Sequence, residues 1–304
     1  MLRNGGCPLL FPPARVALVF CLAALACGER TGAARGALTD DFGFAVRDGT
    51  PARPARIVSL SPATTELLFA LGAGRRLVGR THWDTFPDSA RAVPDLGNGI
   101  RPNVEAVLAA RPDLVVLYAS ADDRAAADEI RAAGIPVIAL KIDRIADFTR
   151  ATELLGVATG ERVRAHDVAD SVGRTLARVR AATRALPAPT VFWHVWDAPI
   201  YTIGAGSYLD ELVTIAGGRN IYGDLPGVSP QVALEDIVRR DPQFILAGPE
   251  GAASIRANPE WRGVRAVRDG RVLVVDTMLV GRPSVRLGES AVSLAKLLHP
   301  GALE

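Results

Sequence analysis

Beyond residue 27 the chain has no cysteine. Its three cysteines, Cys7, Cys21 and Cys27, all fall at the extreme N-terminus of a 304-residue sequence. The rest can form neither an internal disulfide nor a thiolate metal site, so it must be held by its apolar cores. Histidine is scarce too, with four in the chain, and no dedicated protein–metal cage is expected. No nucleophile elbow, phosphate loop, zinc motif or redox cysteine pair is present. Asp84, Asp197 and His82 could be grouped into an acid–base site only by assertion, so neither enzymatic activity nor a cofactor is expected. The net charge of +2 offers no basic stripe for nucleic acid. After the N-terminus, no run is apolar enough for a transmembrane helix.

What is present is ordinary in bulk, with 49% hydrophobic and 22% charged residues, and long enough for two modest lobes. At the N-terminus, Arg3 and Arg15 accompany an apolar run at 16–26 (VALVFCLAALA). The run has the length of a signal h-region and is too short to span a bilayer. It ends at Ala24-Leu25-Ala26-Cys27, which resembles a bacterial lipobox with Ala24 where leucine is usual. On that reading 1–27 is a lipoprotein signal peptide and Cys27 carries the lipid that holds the protein to a membrane. An ordinary cleaved signal that contains a cysteine is the alternative. Residues 28–54, rich in Gly, Ala, Arg and Pro without sustained periodicity, read as a flexible tether.

The body reads as α/β. Strands at 56–60, 77–79, 114–118 and 136–140 alternate with helices, one capped by Thr64 or Thr65 and another by Asn103. That alternation means a parallel sheet with helices on its faces. From 161 to 186 there is no proline and a single glycine, and apolar residues recur at Val168, Val172, Leu176, Val179, Ala182 and Leu186. This spacing predicts one helix of about 39 Å, enough to cross between lobes. The expected divisions are an N-terminal lobe at 55–143, a connecting helical segment at 144–187 and a C-terminal lobe at 188–304.

The second half repeats the first. Asn103-Val104-Glu105 leads to Arg111-Pro112-Asp113-Leu114, and Ala233-Leu234-Glu235 leads to Asp241-Pro242-Gln243-Phe244, with the glutamate seven residues before the proline each time. Glu66 precedes Gly72 by six residues, as Glu211 precedes Gly217. The fold expected is therefore two β-α-β-type lobes with parallel sheets, joined by one long helix, with a ligand cleft between them.

Ile57-Val58-Ser59-Leu60-Ser61-Pro62-Ala63-Thr64-Thr65-Glu66-Leu67, together with Asn103-Val104-Glu105 and Arg111-Pro112-Asp113-Leu114-Val115, resembles the periplasmic binding proteins whose lobes are joined by one rigid helix. The likeness runs from about Arg56 to Leu298. It implies a solute-binding protein that serves an ABC permease dimer and its ATPase subunits, in the periplasm or cell envelope, as a monomer. Members of that family carry cobalamin, haem or ferric siderophores. The cobalamin branch is the most similar, on the Ser61–Leu67 run, Trp83 four residues after Gly79, Tyr118 and Tyr201-Thr202. The chain departs from that branch at Ser229, Asn98 and Gly99, where tryptophans are usual, which leaves a related corrinoid or another macrocycle open.

Ligands of open α/β sheets collect beyond the carboxyl ends of the strands. This selects Ser61, His82, Trp83, Tyr118, Trp196, Tyr201 and Arg282 as ligand-binding candidates. Aromatics suit the face of a planar macrocycle, although Trp193, Trp196 and Tyr201 could equally be core residues. Arg282 and Arg286 could hold anionic ligand groups or make surface salt bridges. His194, in an expected strand, reads as a core residue, and Glu66 and Glu211 read as structural. Glu105 and Glu235 sit in first helical turns, where the helix dipole alone would favour them. In the resembled family, such residues, one per lobe, project toward arginine pockets of the two permease subunits. A sensor built on the same lobes is the remaining alternative.

Overall fold

The computed structural model of the protein describes residues 38–46, 48 and 53–303; the expected signal peptide and Cys27 lie outside them. The N-terminal lobe comprises β1 (Ile57–Ser59), α1 (Pro62–Ala70), β2 (Leu77–Gly79), α2 (Val104–Ala109), β3 (Leu114–Tyr118), α3 (Asp123–Ala132) and β4 (Val137–Leu140). Two helices follow, α4 (Ile145–Thr159) and α5 (Arg162–Thr183). The C-terminal lobe comprises β5 (Thr190–Trp193), α6 (Tyr208–Ile215), β6 (Arg219–Asn220), α7 (Leu234–Arg240), β7 (Phe244–Ala247), α8 (Pro249–Ala257), α9 (Arg265–Arg268), β8 (Val272–Val274), α10 (Thr277–Val280) and α11 (Leu287–Leu298). The strands form two parallel sheets, ordered β2-β1-β3-β4 and β6-β5-β7-β8. The two orders are the same, as the repeat implied. Near-continuous apolar strands such as Leu114–Tyr118 suit sheets covered on both faces.

The long helix expected at 161–186 is α5 (Arg162–Thr183), and the connecting segment holds a second helix before it. The two helices, α4 and α5, pack on each other. Gly160 ends α4 in the left-handed region (φ 73), and Gly156 lets α5 approach, since a Cβ there would lie 2.4 Å from that of Ala165. At 22 residues, α5 is about 33 Å long. α4 escapes a sequence reading because most of its surface is buried, so no one-sided apolar stripe marks it. The start of α1 also differs. Thr64 and Thr65 do not cap it; the helix begins at Pro62 with Ser61 as N-cap. Thr64 instead bonds Ser61 O and Ser59, and Thr65 donates to Asp84. Asn103 does cap α2, accepting from Ala106 N at 3.0 Å.

One apolar cluster runs through both lobes. Leu67 and Leu71 of α1, Phe148 and Leu155 of α4, Leu176 and Val179 of α5, Leu212 of α6 and Leu294 of α11 all belong to it. Each lobe has a smaller second cluster of its own, around Val115 in the first and Phe192 in the second.

Within the stretch expected as a tether, residues 38–46 form a small hairpin, bridged at Thr39 and Ala45 and fastened to the N-terminal lobe. Asp40 is buried and accepts from Phe42 N, Phe44 N, Arg131 and Ala139 N. Asp41 pairs with Arg150, and the Arg131 guanidinium lies 3.5 Å from the centre of the Phe44 ring. Too few residues make these contacts to give a periodic signal. Asp40→Ala should free the hairpin: hydrogen exchange at the Phe42 and Phe44 amides should rise roughly 30-fold, for about 2 kcal/mol of lost local stability, while α5 stays protected.

Candidate functional site

In each sheet the strand order reverses between the two central strands, β1 and β3 or β5 and β7. A crevice opens beyond the carboxyl ends at such a switch point. In the C-terminal lobe it is a cavity of about 590 Å³ lined by Trp196, Asp197, Tyr208, Glu250, Thr277 and His194, among others. Among the described residues, no lysine or arginine lines it. Trp196, one of its lining residues, is 63% exposed.

The sequence candidates distribute unevenly around this cavity. Trp193 is core, whereas Trp196 projects into solvent. Tyr201 is half-buried, bridged to Trp196 and Gln231, and does not line the cavity. From the N-terminal lobe, Trp83 is 54% exposed and its ring lies 4.4 Å from that of exposed His82. The loop carrying both is pinned to α1 by Asp84, which is fully buried and accepts from Thr65, Thr81 Oγ1 and Thr81 N. That network gives Asp84 a structural task. Tyr118 donates to Asp143 at 2.8 Å, and Asp143 O accepts from Tyr208 N, so the tyrosine links its lobe to the cavity wall. Burial, then Asp143, raises the Tyr118 hydroxyl well above its usual range. Ser61 is half-buried at the N-cap of α1.

Arg282 does not offer a free guanidinium to a ligand. It is buried, donates to Glu66 at 3.2 Å and also bonds Trp83 O. Arg286 lies over the Phe86 ring and pairs with Glu289. The departure at Asn98 and Gly99 has a backbone reason: Gly99 has φ 78, and a Cβ there would lie 2.7 Å from Leu60 O. Ser229 donates its hydroxyl to Thr202 O.

Glu105 and Glu235 occupy matching places, each second in its helix, exposed and outside any ion pair among the described residues. Among the described residues no group of three or more His, Cys, Asp or Glu could hold a metal ion, and no helix is long and apolar enough to cross a membrane.

His194 is the residue that sequence reasoning passes over. It lies just past β5, almost fully buried, at the cavity wall. Nε2 sits 2.9 Å from Asp197 Oδ1 without the alignment of a hydrogen bond. Gly251 makes room for the ring, since a Cβ there would fall 2.6 Å from Nδ1. Burial lowers the imidazole below its usual 6.5, an effect that Asp197 partly offsets. The unfolded chain takes up a proton near pH 6.5 and the folded chain resists it. The stability that neutral His194 contributes is therefore complete above that pH and declines as pH falls through the window below it. In urea unfolding between pH 7 and 5, His194→Asn should flatten this slope.

Comparison with known proteins agrees with this architecture. An ABC transporter substrate-binding lipoprotein of Bacillus subtilis, YvrC, is 31% identical over 259 residues, 81% of each chain. A vitamin B12-binding protein of Pectobacterium carotovorum is 26% identical, over 83% of this chain and 92% of its own. The haem-binding protein RhuT of Roseiflexus superposes with a TM-score of 0.74 at 25% identity, over 81% of this chain and 98% of its own. The vitamin B12-binding protein BtuF of Vibrio cholerae does so at 0.71 and 22%, over 81% and 96%. The periplasmic binding protein family matches residues 57–278, and with two lobes of like strand order the chain belongs to that family.

Proposed function

We propose that the protein is the substrate-binding component of an ABC importer and that its cargo is cobalamin or a related corrinoid. The observation that carries the choice of cargo is the charge of the cavity. Among the described residues its lining holds Asp197 and Glu250 and no lysine or arginine, and Arg282 and Arg286 are engaged elsewhere. Placing a polycarboxylate against such a wall without a cation to meet it is unfavourable. An amide-decorated ring with little net negative charge suits it better, held by exposed Trp196 and Trp83. The B12-binding relatives support the same reading, and the haem-binding neighbours make haem the alternative. In this reading Glu105 and Glu235, one exposed carboxylate per lobe, orient the protein on a two-fold permease, and a lipid on Cys27 keeps it at the membrane.

Titration calorimetry with cyanocobalamin and haemin tests the cargo. Cyanocobalamin should bind at one to one, and haemin should bind more weakly; the reverse order would overturn the corrinoid assignment. Trp196→Ala and Trp83→Ala should each weaken cyanocobalamin binding roughly 10- to 100-fold. The double variant Glu105→Ala/Glu235→Ala should abolish uptake in vesicles containing the permease and leave the Kd within about twofold, because exposed charges contribute little to a distant site.

A further inference from the structure

Glu66, which the sequence marks only as a repeated structural residue, reaches across the molecule. It is 2% exposed on α1 of the N-terminal lobe, and its partners lie more than two hundred residues away in the C-terminal lobe. Oε1 accepts from Arg282 Nη1 and Oε2 from the Ser284 hydroxyl. The other terminal nitrogen of Arg282 donates to the main-chain oxygen of Trp83. One C-terminal residue thus holds both the first helix of the opposite lobe and the loop that carries exposed Trp83.

The repeat supplies the reciprocal contact. Glu211, the counterpart of Glu66, lies on the first helix of the C-terminal lobe and accepts from Arg144 at 3.3 Å and from Ile145 N at 2.9 Å, just past β4. Arg144 also donates to Ala205 O. Each lobe's first helix therefore grips the segment that follows the last strand of the other. The two grips differ in burial: Arg282 and Glu66 side chains are 10% and 1% exposed, Arg144 and Glu211 50% and 29%. The exposed grip contributes little, whereas losing one partner of the buried one leaves the other's charge buried and uncompensated.

We infer that Glu66, Arg282 and Ser284 form a clasp that sets the spacing of the lobes, seats Trp83 and governs how long the cleft keeps its ligand. These are positioning residues acting through Trp83 and the lobe interface. The part that concerns ligand rests on the solute-binding reading; the part that concerns the lobes does not.

The test compares Glu66→Gln and Ser284→Ala, which keep side-chain size nearly unchanged, with Glu211→Gln in the exposed grip and Ile255→Ala in the separate core of the C-terminal lobe. Two readouts are taken on the full chain: stopped-flow dissociation of cyanocobalamin, and ligand-free hydrogen exchange over 62–70 and 282–287. Glu66→Gln should raise the dissociation rate roughly tenfold, because weakening a charge-assisted hydrogen bond acts mainly on the off-rate. It should also raise exchange in both segments, and Ser284→Ala should do so more weakly. Glu211→Gln should move neither readout more than about twofold. Ile255→Ala should lower thermal stability and leave dissociation unchanged, which separates positioning from general destabilisation. If Glu66→Gln matches Glu211→Gln in both readouts, the clasp is refuted. If the wild-type chain retains neither cyanocobalamin nor haemin, the cargo reading fails and the exchange comparison still decides the clasp.

Discussion

Phe148 and Leu155 of α4 and Leu176 and Val179 of α5 pack into the same apolar cluster as Leu67 of one lobe and Leu294 of the other. Everything else in the molecule follows from that sharing. Two sheets that each bury a face against common helices cannot swing apart without exposing apolar surface, at about 25 cal/mol for every Å². The lobes are thus held at a set distance, and the cavity beyond β5 and β7 is built on that frame. A rigid frame of this kind favours a largely preformed site over closure around the cargo.

Polar groups refine what the apolar contacts establish. Burial raises the carboxyls of Glu66 and Asp84, and hydrogen bonds from Ser284 and Arg282 to the first, and from Thr65 and Thr81 to the second, counter it. Both groups sit where α1 meets the Trp83 loop, so their burial serves the position of one exposed aromatic. His194 presents a related case across the cleft, a neutral ring held beside Asp197 at the cavity wall.

Much of this is legible in the sequence. The repeated glutamate-to-proline and glutamate-to-glycine spacings announce two like lobes, because short-range spacing survives where identity does not. The strand-end rule finds exposed Trp83 and Trp196. What stays hidden depends on partners distant in sequence or on burial from all sides. Arg282 reads as a free cation because its acceptor, Glu66, is 216 residues away. His194 reads as core because it is core on most of its surface, and only the fold shows the cavity at its remaining edge. α4 lacks a polar face long enough to reveal its period, and the hairpin at 38–46 is fastened by a handful of side chains inside a composition typical of linkers.

The continuous cluster through α1, α4, α5, α6 and α11 also bears on how the chain could be divided. Neither half owns a complete interior: the N-terminal sheet needs helices that the C-terminal sheet also covers. A cut between the lobes would therefore strip apolar partners from both sheets at once, whatever each retains in its own smaller cluster.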